Sequence, residues 1–170
     1  DYLTEFVDYG TGIDILENQR SRTADLIKDD EFYRLDQTTN GKSMERNFLI
    51  SSGISSTAAY WSLQNSFMVE YLYLNSAYPN QNFILRGLSS RSLLAPFACA
   101  SYFVCDEGQE KYVPYGYEYV GSKKTFQDNV VKLYHTDNSL PLGYTCDSWL
   151  SREEYNALSI TQRQQAMLYG

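Results

Sequence analysis

A chain of 170 residues that is 43% hydrophobic can bury one core without metal ions or disulfides. Its formal charge of −7 and pI near 4.7 set the average surface against phosphate backbones, and no Lys/Arg run overrides that, so nucleic acid is not an expected partner. No stretch reaches the roughly 18 apolar residues that span a bilayer, and nothing at the start resembles a signal peptide.

Residues 1–14 carry Tyr2, Phe6 and Tyr9 among acids and glycines without a period, and read as a poorly structured lead-in. Leu16, Ala24, Leu26 and Ile27 predict a helix over 15–30, and the short aromatic run Phe32-Tyr33-Arg34-Leu35 predicts a strand. Asn40-Gly41 among hydroxyl residues marks a turn. Tyr60, Leu63, Phe67, Tyr71 and Leu74 recur every three or four residues and predict a helix over 56–75, capped by Ser55, Ser56 or Thr57. Trp61, Met68 and Leu72 widen its stripe, so the helix is expected to be buried over much of its girth, with Pro79 ending the element.

A shorter helix is expected from Ser89 or Ser90 through Ala95, feeding a strand Ser101-Tyr102-Phe103-Val104-Cys105. Further strands are expected over 117–120, 129–135 and 142–146. Two capping boxes, Ser151-x-x-Glu154 and Ser159-x-x-Gln162, start helices at the end of the chain, because the hydroxyl and the later side chain reciprocally satisfy two orphan amides. The whole, 1–170, reads as one layer-type domain of α/β or α+β class, a small mixed sheet packed with several helices. Its last residues, Ala166 to Gly170, stop within an expected helix, as expected of a domain excised from a larger protein.

Chemistry is sparse. The three cysteines, Cys99, Cys105 and Cys146, lack metal-ligand spacing and have one histidine, His135, to help them, so no structural zinc is expected. Three separate buried thiols are the expected state, with one disulfide plus a free thiol as the alternative in an oxidising compartment. His135 has no partner nucleophile in a recognisable elbow and reads as an exposed strand-end residue. The acid pairs Asp29-Asp30, Asp106-Glu107 and Glu153-Glu154 suggest two-carboxylate glycoside hydrolysis only weakly, since adjacent acids point apart. No cofactor motif is present.

Candidate binding residues are Trp61, Arg86, Arg91, Tyr115 and Tyr117. Pro114-Tyr115-Gly116-Tyr117 offers two rings that could stack on a flat ligand or pack into a tight turn. Arg46, Arg86 and Arg91 suit phosphate or carboxylate groups, or internal salt bridges.

Several pieces occur together in an order that resembles the extracytoplasmic part of the YfhO family of bacterial membrane proteins. They are Phe32-Tyr33-Arg34, Gly53-Ile54-Ser55-Ser56 with Tyr60-x-Ser62, Arg86-Gly87-Leu88-Ser89-Ser90-Arg91, Val113-Pro114-Tyr115-Gly116-Tyr117, Asn138-x-Leu140-Pro141-Leu142-Gly143-Tyr144, and Arg163-Gln164-Gln165-Ala166. His135-Thr136-Asp137 departs from the pattern, in which an acid directly precedes the asparagine.

The resemblance implies a polytopic parent, similar to a GT-C glycosyltransferase that uses a lipid-linked sugar to decorate envelope polymers such as teichoic acids. The catalytic carboxylate would lie in the membrane part, outside this segment. The segment would then be an acceptor-binding accessory domain on the extracytoplasmic face. Its partners would be the transmembrane portion and an envelope glycan or lipid-linked sugar, with no cofactor. A purely structural docking module and an independent hydrolase are the competing expectations.

Overall fold

The computed structural model describes residues 23–38, 53–60, 62–77, 84–124 and 128–169. Among them the architecture is α+β, with a four-stranded mixed sheet, a two-stranded sheet and three α-helices. No helix among the described residues is long and apolar enough to cross a membrane.

The strands are β1 (Arg34–Gln37), β2 (Ala58–Tyr60), β3 (Ile84–Arg86), β4 (Ala100–Asp106), β5 (Glu118–Lys124) and β6 (Val130–His135). The larger sheet runs in the order β1-β4-β6-β5, parallel between β1 and β4 and antiparallel elsewhere. β4 lies inside the sheet, and all of its residues but the last are buried, which is why its sequence is apolar without alternation. β5 is largely exposed, as befits its place at the end of the sheet.

β2 and β3 form the antiparallel pair. Backbone bonds from Leu35 N–H to the Ser55 carbonyl (2.9 Å) and from Thr57 N–H to the Leu35 carbonyl (3.2 Å) stitch that pair to the free side of β1. β1 therefore has neighbours on both sides, and its two faces look into two different cores. On one face Leu35 packs with Tyr102, Val104, Val131 and Leu133. The second core gathers Leu72, Leu85, Leu88, Leu94 and Ala100.

The helix expected over 56–75 is two elements. Ala58–Tyr60 is spent on pairing with β3, and α1 begins only at Ser66, running to Leu74. Its cap is Asn65, whose side-chain oxygen accepts from the Phe67 and Met68 amides, and not Ser55, Ser56 or Thr57. The apolar stripe is only partly used: Leu72 is buried, whereas Leu63, Phe67, Met68 and Tyr73 are exposed.

The helix expected at 89–95 is a series of turns followed by a 3₁₀ turn at Pro96–Ala98. Ser89 and Ser90 both have positive φ, which no α-helix accommodates. Residues 142–146 are not a strand. Pro141 lacks a donor, and the segment runs past the Pro96 turn with one backbone bond, from Leu140 N–H to the Pro96 carbonyl (3.1 Å). The expected helix over 15–30 is described only from residue 23, where a short 3₁₀ turn, Ala24–Leu26, gives way to irregular chain. The Asn40-Gly41 turn and Pro79 lie outside the described residues.

Both capping boxes form. Ser151 and Glu154 exchange side-chain and backbone bonds before α2 (Arg152–Ala157), and Ser159 and Gln162 do so before α3 (Ile160–Tyr169). Arg163 of α3 then donates to the carbonyls of Leu74 (2.8 Å), Tyr155 (3.0 Å) and Asn156 (2.8 Å), so one guanidinium satisfies carbonyls at the C-terminal ends of α1 and α2. Beside it the Gln164 amide donates to the Asn75 carbonyl at 3.3 Å.

Candidate functional site

Because α2 and α3 are fastened to α1 by polar seams, and the 141–150 segment passes outside them without regular structure, an open space remains above the second core. It is a cleft of about 1080 Å³, with walls from β2 and β3, from α1, from the 144–152 segment and from α3. Leu72, Leu85, Leu88, Phe97 and Met167 make it predominantly apolar, and Trp149, 84% exposed, stands at its margin.

Polar side chains at its edge include hydroxyls of Ser56, Thr57, Ser148 and Ser151, two guanidiniums and several phenols. Tyr71, Tyr144 and Tyr155 all line the cleft. Burial pushes the Tyr71 phenol well above its ordinary range, with the neighbouring Tyr155 and Tyr144 phenols adding to the shift. Burial likewise raises that of Tyr144, aided by Cys146 and Cys99. The Tyr71 and Tyr144 phenols therefore stay protonated at neutral pH and can both donate and accept. The Tyr155 hydroxyl already accepts from Asn75 Nδ2 at 3.2 Å. Arg34 supplies a cation to the same space; its Nη1 donates to the Ala98 carbonyl at 2.8 Å and its guanidinium lies 5.0 Å over the Phe32 ring. Among the described residues no carboxylate pairs with it.

No Asp, Glu or His is among the described residues lining the cleft. The acid pairs are occupied elsewhere: Asp29 accepts from the Glu31 amide at 3.1 Å, Glu107 lies 3.6 Å from Lys132, and Glu154 completes the Ser151 cap. His135 is half-buried against Tyr102, with ring centroids 4.7 Å apart, and its Nδ1 is 3.7 Å from the exposed Asp137 carboxylate. Among the described residues no two carboxylates face each other across the cleft.

The residues singled out from sequence do not converge. Tyr115 is 94% exposed, held through its amide by Ser92 Oγ at 2.8 Å, while Tyr117 turns inward, donates its hydroxyl to the Ala100 carbonyl and meets Phe103 edge-on. One ring points out and the other in, so the two do not form a shared platform. Arg91 reaches the Ser76 carbonyl at 3.3 Å, Arg86 is a β3 residue whose Nε is buried without a partner, and Trp61 and Arg46 lie outside the described residues. Of the described residues, Tyr115, Tyr117, Arg86 and Arg91 are not among those that line the cleft. Of the cysteines, Cys99 and Cys105 are buried but Cys146 is exposed at the cleft, contrary to the expectation of three buried thiols.

Just behind the cleft wall lies a group the sequence reading did not single out. Asp36 is 1% exposed, and burial pushes its carboxyl from 3.8 up to about 6 despite hydrogen bonds that favour the charged form. Compared with protein-family models, curated proteins and solved structures, the chain has no significant match to any of the three.

Proposed function

We propose that this domain is a non-catalytic binding module and that the cleft is its ligand site. The observation that carries the reading is the lining itself: an apolar, aromatic floor with phenol hydroxyls and two guanidiniums, Arg34 and the Glu70-paired Arg152, and no carboxylate or imidazole among the described residues. Ring faces suit the C–H faces of sugars, hydroxyls select among their oxygens, and Arg34 suits an anionic substituent. With the sequence resemblance, this supports an acceptor-binding accessory role on the extracytoplasmic side of an envelope glycosyltransferase whose chemistry is done in its membrane portion.

The test is calorimetry or ligand-observed NMR of the 170-residue domain against envelope glycans and purified teichoic acids. Saturable binding that weakens about tenfold in Tyr71→Phe or Arg34→Met supports the reading, a loss of about one good polar contact. No binding at millimolar ligand overturns it. A second reading, a structural module that docks on the membrane portion, draws support from Leu63, Phe67, Trp149 and Tyr169, exposed by 92%, 74%, 84% and 86%. It predicts that Leu63→Ser with Phe67→Ser, two exposed residues outside the cleft lining, disrupts assembly of the full-length protein and leaves glycan binding by the isolated domain untouched.

A further inference from the structure

The carboxylate of Asp36 joins three segments. Its Oδ1 accepts from Thr57 Oγ1 at 2.5 Å, ahead of β2, and from the Leu88 amide at 3.1 Å, just beyond β3. Between them Gly87 comes so close that a Cβ there would sit 2.3 Å from the same oxygen, and its φ of +88° is one that few side chains tolerate. The other oxygen, Oδ2, is buried and takes no hydrogen bond. Thr57 and Leu88 are themselves cleft-lining residues. To the backbone bonds that join Leu35 to Ser55 and Thr57, the cleft wall thus adds a buried carboxyl group with one unsatisfied oxygen.

We propose that Asp36 is a proton-operated tether of the cleft wall: neutral, it lies dry behind Thr57 and Leu88, and ionised, it keeps both donors but draws water to the unsatisfied Oδ2 and so opens the wall beside them. This inference rests on the cleft being the ligand site. Burying an unpaired charge is costly and burying a neutral acid far less so, so a ligand that seals the wall binds the neutral form more tightly, and binding takes up a proton.

Among the described residues, the groups around Asp36 leave it as the one that changes between pH 5 and 7 on this side of the sheet. The nearest guanidiniums in sequence are those of Arg34, two residues back on β1, and Arg86, next to Gly87. Cys105 on β4 is pushed up to about 12, and the Tyr117 phenol is raised by burial and by Asp36 itself. His135 pairs with Tyr102, on the opposite face from the Asp36–Phe103 pair.

The experiment uses 1-anilinonaphthalene-8-sulfonate, whose sulfonate stays ionised throughout, with NMR contacts to Leu85 and Met167 methyls placing it in the cleft. In the wild type, affinity is expected to fall several-fold from pH 5 to 7, in step with titration of the Thr57 and Leu88 amides. In Asp36→Asn both profiles should be flat, which separates Asp36 from His135. Thr57→Val removes a donor to the charged form and should move the midpoint upward. Amides that titrate while affinity stays constant, or amides that do not titrate, overturn the tether. Failure of the probe to enter the cleft at any pH overturns the ligand-site reading, and the regulation with it, whatever Asp36 does.

Discussion

Leu35 and Asp36 are neighbours in sequence, equally inaccessible, and opposite in what they do. Leu35 looks into a dry cluster of aliphatic and aromatic side chains that needs nothing further. Asp36 looks the other way, with one oxygen bonded to two segments of a cleft wall and one oxygen bonded to nothing. A strand can give one face to stability and the other to function because successive side chains alternate. The apolar face tolerates no loss of volume, whereas the cleft face keeps the electrostatic cost of a buried carboxyl with one unsatisfied oxygen.

The largest expected effect breaks the stable face. Leu35→Ala, at a side chain that is fully buried, should cost about 2–5 kcal/mol in urea unfolding through lost burial and the cavity left behind. A loss under about 1 kcal/mol would show that this face is not the close-packed core described.

The next sharpens the other face through pH. The folded protein holds the Asp36 proton more tightly than the unfolded chain does, so this group's stabilising contribution is complete below about pH 4 and is lost as pH rises through about 6. The shift from 3.8 to about 6 corresponds to roughly 3 kcal/mol as an upper figure. Glu110 and Glu154, held below the usual carboxylate range by Lys132 and Ser151 respectively, act with the opposite sign. The quantity to measure is therefore the difference between wild type and Asp36→Asn across pH 4 to 7, and a difference independent of pH would refute the assignment.

The smallest effect separates two tyrosines that look alike in sequence. Tyr117→Phe removes the bond to the Ala100 carbonyl and should cost about 1 kcal/mol, whereas Tyr115→Phe should stay within about 0.5 kcal/mol. Equal effects in thermal unfolding would mean that the inward and outward assignment of these rings is wrong.

Much of this architecture was legible in local sequence. The apolar run of β4, the strand at β6 and both capping boxes follow from interactions within a few residues or from continuous hydrophobicity, so the sequence by itself determined them, together with a mixed helix-and-sheet class left open between α/β and α+β. What the tertiary structure decided is whatever depends on a distant partner. Tyr60 and Leu63 match a helical period, yet Ala58–Tyr60 pairs with Ile84–Arg86, more than twenty residues on, and the gain from that pairing outweighs local propensity. In Tyr33-Arg34-Leu35-Asp36 the polar residues alternate as a solvent-facing row would. Only the arrival of Thr57, Gly87 and Leu88 over that row buries Asp36 and turns it into a group of unusual proton affinity. The cleft likewise exists only because α1, α3 and the 144–152 segment meet from separate parts of the chain. Periodicity reports which residues prefer to be hidden, but not what will hide them, and a binding site is made of that second fact.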